Sequence, residues 1–154
     1  MPGRQKGRAA KRPPRKSGAT PHPTHVLSPR GRRALERVRA FCLSLPDATE
    51  KEAWGAPTFR VRDKLFCHFR EDHHRDGRIA VWCKAPPGEQ AEWVEAEPSV
   101  FFVPPYVGPS GWVGADLERA DWQTVQELLE TGYRMNAAKR QLAQLDALRE
   151  GTPR

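Results

Sequence analysis

Asp72-His73-His74, with Asp76 and His68 close by, holds residue types that ligate zinc or nickel. The spacing opposes such a site. No histidine pair stands at i, i+4, no dispersed third ligand completes a set, and adjacent histidines on a strand would point to opposite faces. They could share an ion only from a turn. The run from Glu71 to Arg78, the most polar in the body of the chain, reads as a solvated hairpin tip. Cys67-His68, with Cys83 on what could be a neighbouring strand, offers a thiolate and an imidazole. Alternation places Cys67 with Leu65 and Phe69 and puts His68 with Phe66 on the other face, so the thiol reads as core. Cys42, Cys67 and Cys83 are odd in number and form no C-x-x-C pair, which implies reduced thiols and a cytoplasmic protein. Neither a G-x-S-x-G, nor a P-loop, nor a G-x-G-x-x-G occurs. No catalytic residue, cofactor or metal ligand is assigned.

Charge and aromatic content speak for binding. The net charge of +7 resides in the first 25 residues, where Arg4, Lys6, Arg8, Lys11, Arg12, Arg15 and Lys16 meet no acid; the rest has 19 Lys and Arg against 19 Asp and Glu. Residues 1–27, rich in Pro, Gly, Ser and cations, are expected to be a disordered basic tail, either an aid to solubility or an arm that grasps phosphate. Pro13, Pro14, Pro21 and Pro23 speak against an amphipathic transit peptide, and no apolar run approaches a membrane span. Trp82, Tyr106 and Trp112 are candidate aromatic anchors that could stack bases, although five tryptophans in a chain this size also suit core packing.

These residues must be positioned by a domain over 28–141. Ser28-Pro29 caps a helix that Pro46 closes; its apolar stripe is Ala34, Leu35, Val38, Phe41, Cys42 and Leu45, and its exposed side carries Arg30, Arg33 and Arg37. Trp54 to Pro57 reads as a corner, followed by a hairpin turning at Asp63-Lys64, with Thr58, Arg60 and Arg62 on one face. A strand over Ile79 to Lys84, a short helix over Glu89 to Ala96, strands around Val100 to Val103 and at Trp112-Val113, and a helix capped by Asp121 complete the pattern. Residues 142–154 read as a helical extension or tail. The loop between the last strands, within FFVPPYVGPSGWVG, spends its prolines and glycines on a fixed shape. The fold class is α+β, an antiparallel sheet covered by helices.

Four blocks, FCLSLPDATEKEAWG, TFRVRDKLFCHF, FFVPPYVGPSGWVGADL and WQTVQELLETGYRMNAAKR, resemble in content and order the MmcQ/YjbR family of small bacterial proteins, over about Ser28 to Arg140. The resemblance implies a frataxin/CyaY-like α-β sandwich and DNA binding through two hairpin wings. The first wing would carry Arg60, Arg62 and Lys64; the second would be the loop from Tyr106 to Trp112. Where relatives have a Gly-rich turn, this chain has Asp63-Lys64. The frataxin-like fold would also suggest iron, but the Arg-rich first helix would repel cations. Relatives labelled phosphoribosylglycinamide formyltransferases find no matching Asn, His and Asp arrangement here.

The expected function is therefore a non-enzymatic, monomeric DNA-binding protein. It would contact phosphate mainly without sequence preference through Arg60, Arg62, Lys64, Arg30, Arg33, Arg37 and the tail. The alternative is a protein-interaction or small-ligand module anchored on Trp82, Tyr106 and Trp112.

Overall fold

The computed structural model describes residues 26–151. Its elements are helix α1 (Pro29–Leu43), strands β1 (Thr49–Ala53), β2 (Ala56–Val61), β3 (Lys64–Glu71) and β4 (Ile79–Cys83), helix α2 (Glu89–Ala96), strands β5 (Phe101–Phe102) and β6 (Val113–Asp116), and helices α3 (Trp122–Asn136) and α4 (Lys139–Glu150). All strand pairs are antiparallel, in the order β1-β2-β3-β4-β6-β5. The α+β class expected from the sequence is the class observed. The expectation of a basic tail falls, for residues 1–25, outside the described residues.

Helix α1 starts where its cap predicts: Ser28 Oγ accepts from Gly31 N at 3.0 Å, and Pro29 needs no N–H partner. Ser28 N donates to Glu71 Oε1 at 3.0 Å, so a carboxylate from β3 sits at the positive end of the helix. Leu35, Val38 and Cys42 then bury one face against the sheet.

The sheet has two unlike faces. Phe59, Val61, Cys67, Phe69, Val81, Cys83, Val113 and Ala115 form the core with α1, α3 and Leu145 of α4. On the reverse, cross-strand partners Thr58, His68, Trp82, Gly114 and Phe102 make one row. Gly114 is required there, because a Cβ would lie 2.5 Å from the Phe102 ring.

Four features depart from the sequence reading. Thr49–Ala53 is a strand, and Trp54-Gly55 forms its tight turn into β2, with both φ positive. The β2–β3 turn is Arg62-Asp63, one residue earlier than expected, with φ of 56° and 60° and Val61 opposite Lys64. The register also shifts, because Phe59 pairs Cys67 while Arg60 pairs Leu65, leaving Phe66 as a bulge. The bulge sends Phe66 into the core, edge-on to Tyr133, and turns Leu65 to the reverse face with His68. Helix α3 locks it. Asn136 Nδ2 donates to the carbonyls of Lys64 and Leu65 at 3.2 and 3.0 Å, and Gly132 passes so close that a Cβ would lie 2.9 Å from the Lys84 carbonyl. Helix α3 ends at Asn136, and a separate α4 follows instead of one helix running through Arg140.

Candidate ligand pocket on the helix-free face

Five segments converge over the reverse face of the sheet. Strand β3 brings Leu65, His68 and Arg70, and β4 brings Trp82 as the floor. The β1–β2 turn supplies Trp54, the β3–β4 loop His73 and His74, and the β5–β6 loop Tyr106 and Val107; together they enclose a cavity of about 460 Å³. That volume lies within the range of small-molecule sites.

The rim is held in strained backbone. Trp54, His74 and Tyr106 have φ of 53°, 52° and 67°, values that bulky residues avoid because Cβ meets the backbone. Trp54 occupies the first position of a turn that favours Asn or Gly. Tyr106 sits at the centre of a three-residue turn closed by Val107 N donating to the Pro105 carbonyl at 2.7 Å, the strained hand of the γ-turn. This conformation projects the ring outward, 69% exposed, with its hydroxyl 3.1 Å from His74 Nε2. The β3–β4 loop is fixed from within: Asp72 Oδ1 accepts from Gly77 N at 2.8 Å and Asp76 Oδ1 from Arg78 N at 2.9 Å.

Inside, aromatic edges meet faces. His68 lies between Trp82 and Trp54, with ring centroids 5.3 and 5.6 Å away, and His73 stands edge-on to Trp82 at 5.0 Å and stacks on His74 at 3.9 Å. The Arg70 guanidinium lies 5.4 Å from the Trp82 ring, and Nη1 donates to the Trp54 carbonyl at 3.2 Å. Burial, with Arg70 and His73 nearby, lowers the His68 pKa to about 3, so the ring is neutral at ordinary pH. Burial first, then Arg70 and His74, lowers His73 as well, and burial also lowers Arg70. The interior is thus an aromatic box with one cation, in which the His68 imidazole is neutral.

The structure gathers Trp82 and Tyr106 here but not Trp112, which is buried elsewhere with its carbonyl accepting from Gln90 Nε2 at 2.7 Å. Cys67 is fully buried on the opposite face with Cys42 and Cys83; burial and those two thiols push its pKa well up, which removes the thiolate that nucleophilic chemistry needs. Among the described residues, no group of three or more His, Cys, Asp and Glu is arranged to hold a metal ion.

The basic residues fall into two separate places. At the β2–β3 turn, Arg62 Nη1 donates to the Asn136 carbonyl at 3.2 Å, capping α3, while Lys64 is exposed. Arg60 has a side chain only 15% exposed, 4.0 Å from Asp63. On α1, Arg30 pairs with Glu118 at 3.2 Å, Arg37 covers Trp122 at 4.4 Å, and exposed Arg33 borders the same groove beside Leu117 and Glu118. The N-terminus of α1 lies at the Glu71 end of β3 and the hairpin tip at the Lys64 end, roughly 23 Å apart along eight residues. Arg30, at the start of α1, is therefore remote from the hairpin tip.

A family model described as YjbR matches residues 43–135. The chain belongs to the YjbR family. Its fold is similar to that of the crystal structure of Deinococcus radiodurans protein DR2400, a DUF419 domain, with 19% identity and a TM-score of 0.59 over 82% of this chain and 91% of that one. No curated protein matches. The YjbR match contains every residue lining the pocket, from Trp54 to Val107.

Sequence reasoning missed Trp54, Arg70 and the joint use of His68, His73 and His74. A tryptophan before glycine between two alternating runs was the available signal for the first. The others become neighbours only through the bulge and the loop's left-handed residues, neither of which has a mark in the sequence.

Proposed function

We propose that this YjbR-family chain is a small-molecule-binding module with no catalytic step, and that the helix-free cavity is its site. One observation carries the reading. Among the described residues, the buried side-chain nitrogens and oxygens without a hydrogen-bond partner are His68 Nε2, Arg70 Nε and His73 Nε2, and all three belong to residues lining this cavity. Folded proteins satisfy nearly all such atoms, because each orphan costs about 1–3 kcal/mol. Strained Trp54, His74 and Tyr106 at the rim point the same way, since backbone strain concentrates at binding sites. The test is a fragment screen on the isotope-labelled full chain. Amide and indole shifts should cluster on Trp54, His68, Trp82 and Tyr106; binders that map elsewhere, or a screen silent at millimolar concentration, would refute the site.

Non-specific DNA contact is a second reading, supported by charge along the chain: the seven tail cations lie upstream of α1, where Arg30, Arg32, Arg33 and Arg37 are exposed. In this version the surface is tail plus α1, and the hairpin contributes the exposed Arg62 and Lys64. Duplex binding should weaken with salt, and replacing the tail cations by Ser should flatten that dependence far more than Lys64→Ala does. Absence of binding at low salt would discard it.

A further inference from the structure

The cavity also indicates what kind of molecule it takes, an inference that rests on the small-molecule reading above. Its walls are flat rings: Trp82 forms the floor, and Trp54 and Tyr106, 53% and 69% exposed, form the two sides of the mouth. Its charge is one guanidinium, and among the described residues lining it none carries a carboxylate. The nearby acids Asp72 and Asp76 accept hydrogen bonds from the backbone of their own loop. Arg70 Nη1 is held by the Trp54 carbonyl, which leaves Nε, buried and without a partner, as a charged donor. His68 is 4% exposed, and its neutral ring bonds the backbone at Ala53, so the unpartnered Nε2 is the lone-pair acceptor. His73 Nε2 is a second unpartnered ring nitrogen beside them.

We propose that the pocket binds a flat aromatic carboxylate bearing a hydroxyl or ring N–H. The ring lies between Trp54 and Tyr106 at the mouth, above the buried Trp82, and a shift of the Arg70 and His73 side chains opens Arg70 Nε to the carboxylate and His68 Nε2 to the hydroxyl or N–H. This ligand satisfies the half-buried cation and the buried acceptor together. A neutral aromatic would leave the guanidinium without an anion, and an aliphatic acid would leave the ring walls unused.

The full chain would be titrated with 4-hydroxybenzoate, 3-hydroxybenzoate, their amides, benzoate and cyclohexanecarboxylate, with tryptophan fluorescence for affinity and amide shifts for location. The better hydroxybenzoate should bind at least about tenfold tighter than its amide, as expected of a charge-assisted bond to arginine. It should also bind tighter than benzoate and cyclohexanecarboxylate. Arg70→Gln should abolish the acid-over-amide preference, and His68→Phe the hydroxyl-over-hydrogen preference. Amides that bind the pocket as well as the acids would overturn the ligand class while leaving the site standing. Shifts located outside the pocket, or no binding by any of the six, would overturn the assignment. The acid and amide pairs on the unaltered chain decide the matter even where a variant does not fold.

Discussion

His68 is a histidine that the fold keeps uncharged, and this has a measurable sign. The unfolded chain takes up a proton near pH 6.5, whereas the folded one, with burial, Arg70, His73 and Arg60 opposing charge and only the backbone bond to Ala53 favouring it, does so near 3. The stability is therefore present above 6.5 and lost as pH falls toward 3, by about 1.4 kcal/mol per unit in that window. Urea titrations at pH 7 and pH 5, a range above most carboxylate titrations, should show a loss of about 2 kcal/mol, with His73 adding in the same direction. His68→Phe should remove most of that slope; an equal slope in the variant would mean that His68 is not the neutral group. Trp54 makes the opposite point, that a site residue can weaken the fold. Its left-handed turn position suits asparagine, so Trp54→Asn should raise the thermal midpoint, gaining about 0.5–1 kcal/mol net of its lost contact with His68, while weakening ligand binding. A lowered midpoint would show that the ring's packing outweighs the strain.

The bulge at Phe66 is the element on which the reverse face depends. Periodicity in the sequence correctly marks α1 and its cap, α2, and the alternation of β4, because these follow from local patterns of two or 3.6 residues. A bulge breaks period two by one residue and leaves no residue type behind, so alternation alone puts Leu65 and Phe66 on each other's faces and the hairpin turn one residue late. Asn136 is what makes the irregularity affordable. Its amide meets both carbonyls at the bulge, and its Oδ1 accepts from Lys84 Nζ at 2.7 Å. Asn136→Ala should lower the free energy of unfolding by about 2–3 kcal/mol, read by denaturant midpoint, because it leaves several buried partners unmade. Gly132→Ala should also destabilise, by forcing α3 off the Lys84 carbonyl. Unchanged midpoints in both would mean that α3 does not lock the bulge.

At the scale of the molecule, the sequence reveals class and family but not which surface is used. Charge can be counted in a sequence, yet whether two basic runs share a face depends on where the strands put them, and β3 separates the start of α1 from the hairpin tip. If DNA contact occurs, affinity measured against salt should lose most of its slope when the tail cations are neutralised, because the remaining chain carries equal numbers of cations and anions. A slope that stays unchanged would locate the contact in the body. Trp82 and Tyr106 were visible as aromatics, but their partnership with Arg70 and three histidines is a product of loop geometry. The two outer strands carry a consequence of their own. One margin of the sheet, Thr49 to Ala53, reads TEKEA, with three charged side chains in five residues; the other, Phe101-Phe102, is two residues long and runs into Pro104. Charge on one side and brevity with proline on the other are how sheets resist recruiting further strands. Neither another copy nor an extended peptide is offered a ready template for lengthening this sheet, so association with another chain is left to the helical surface or the aromatic face.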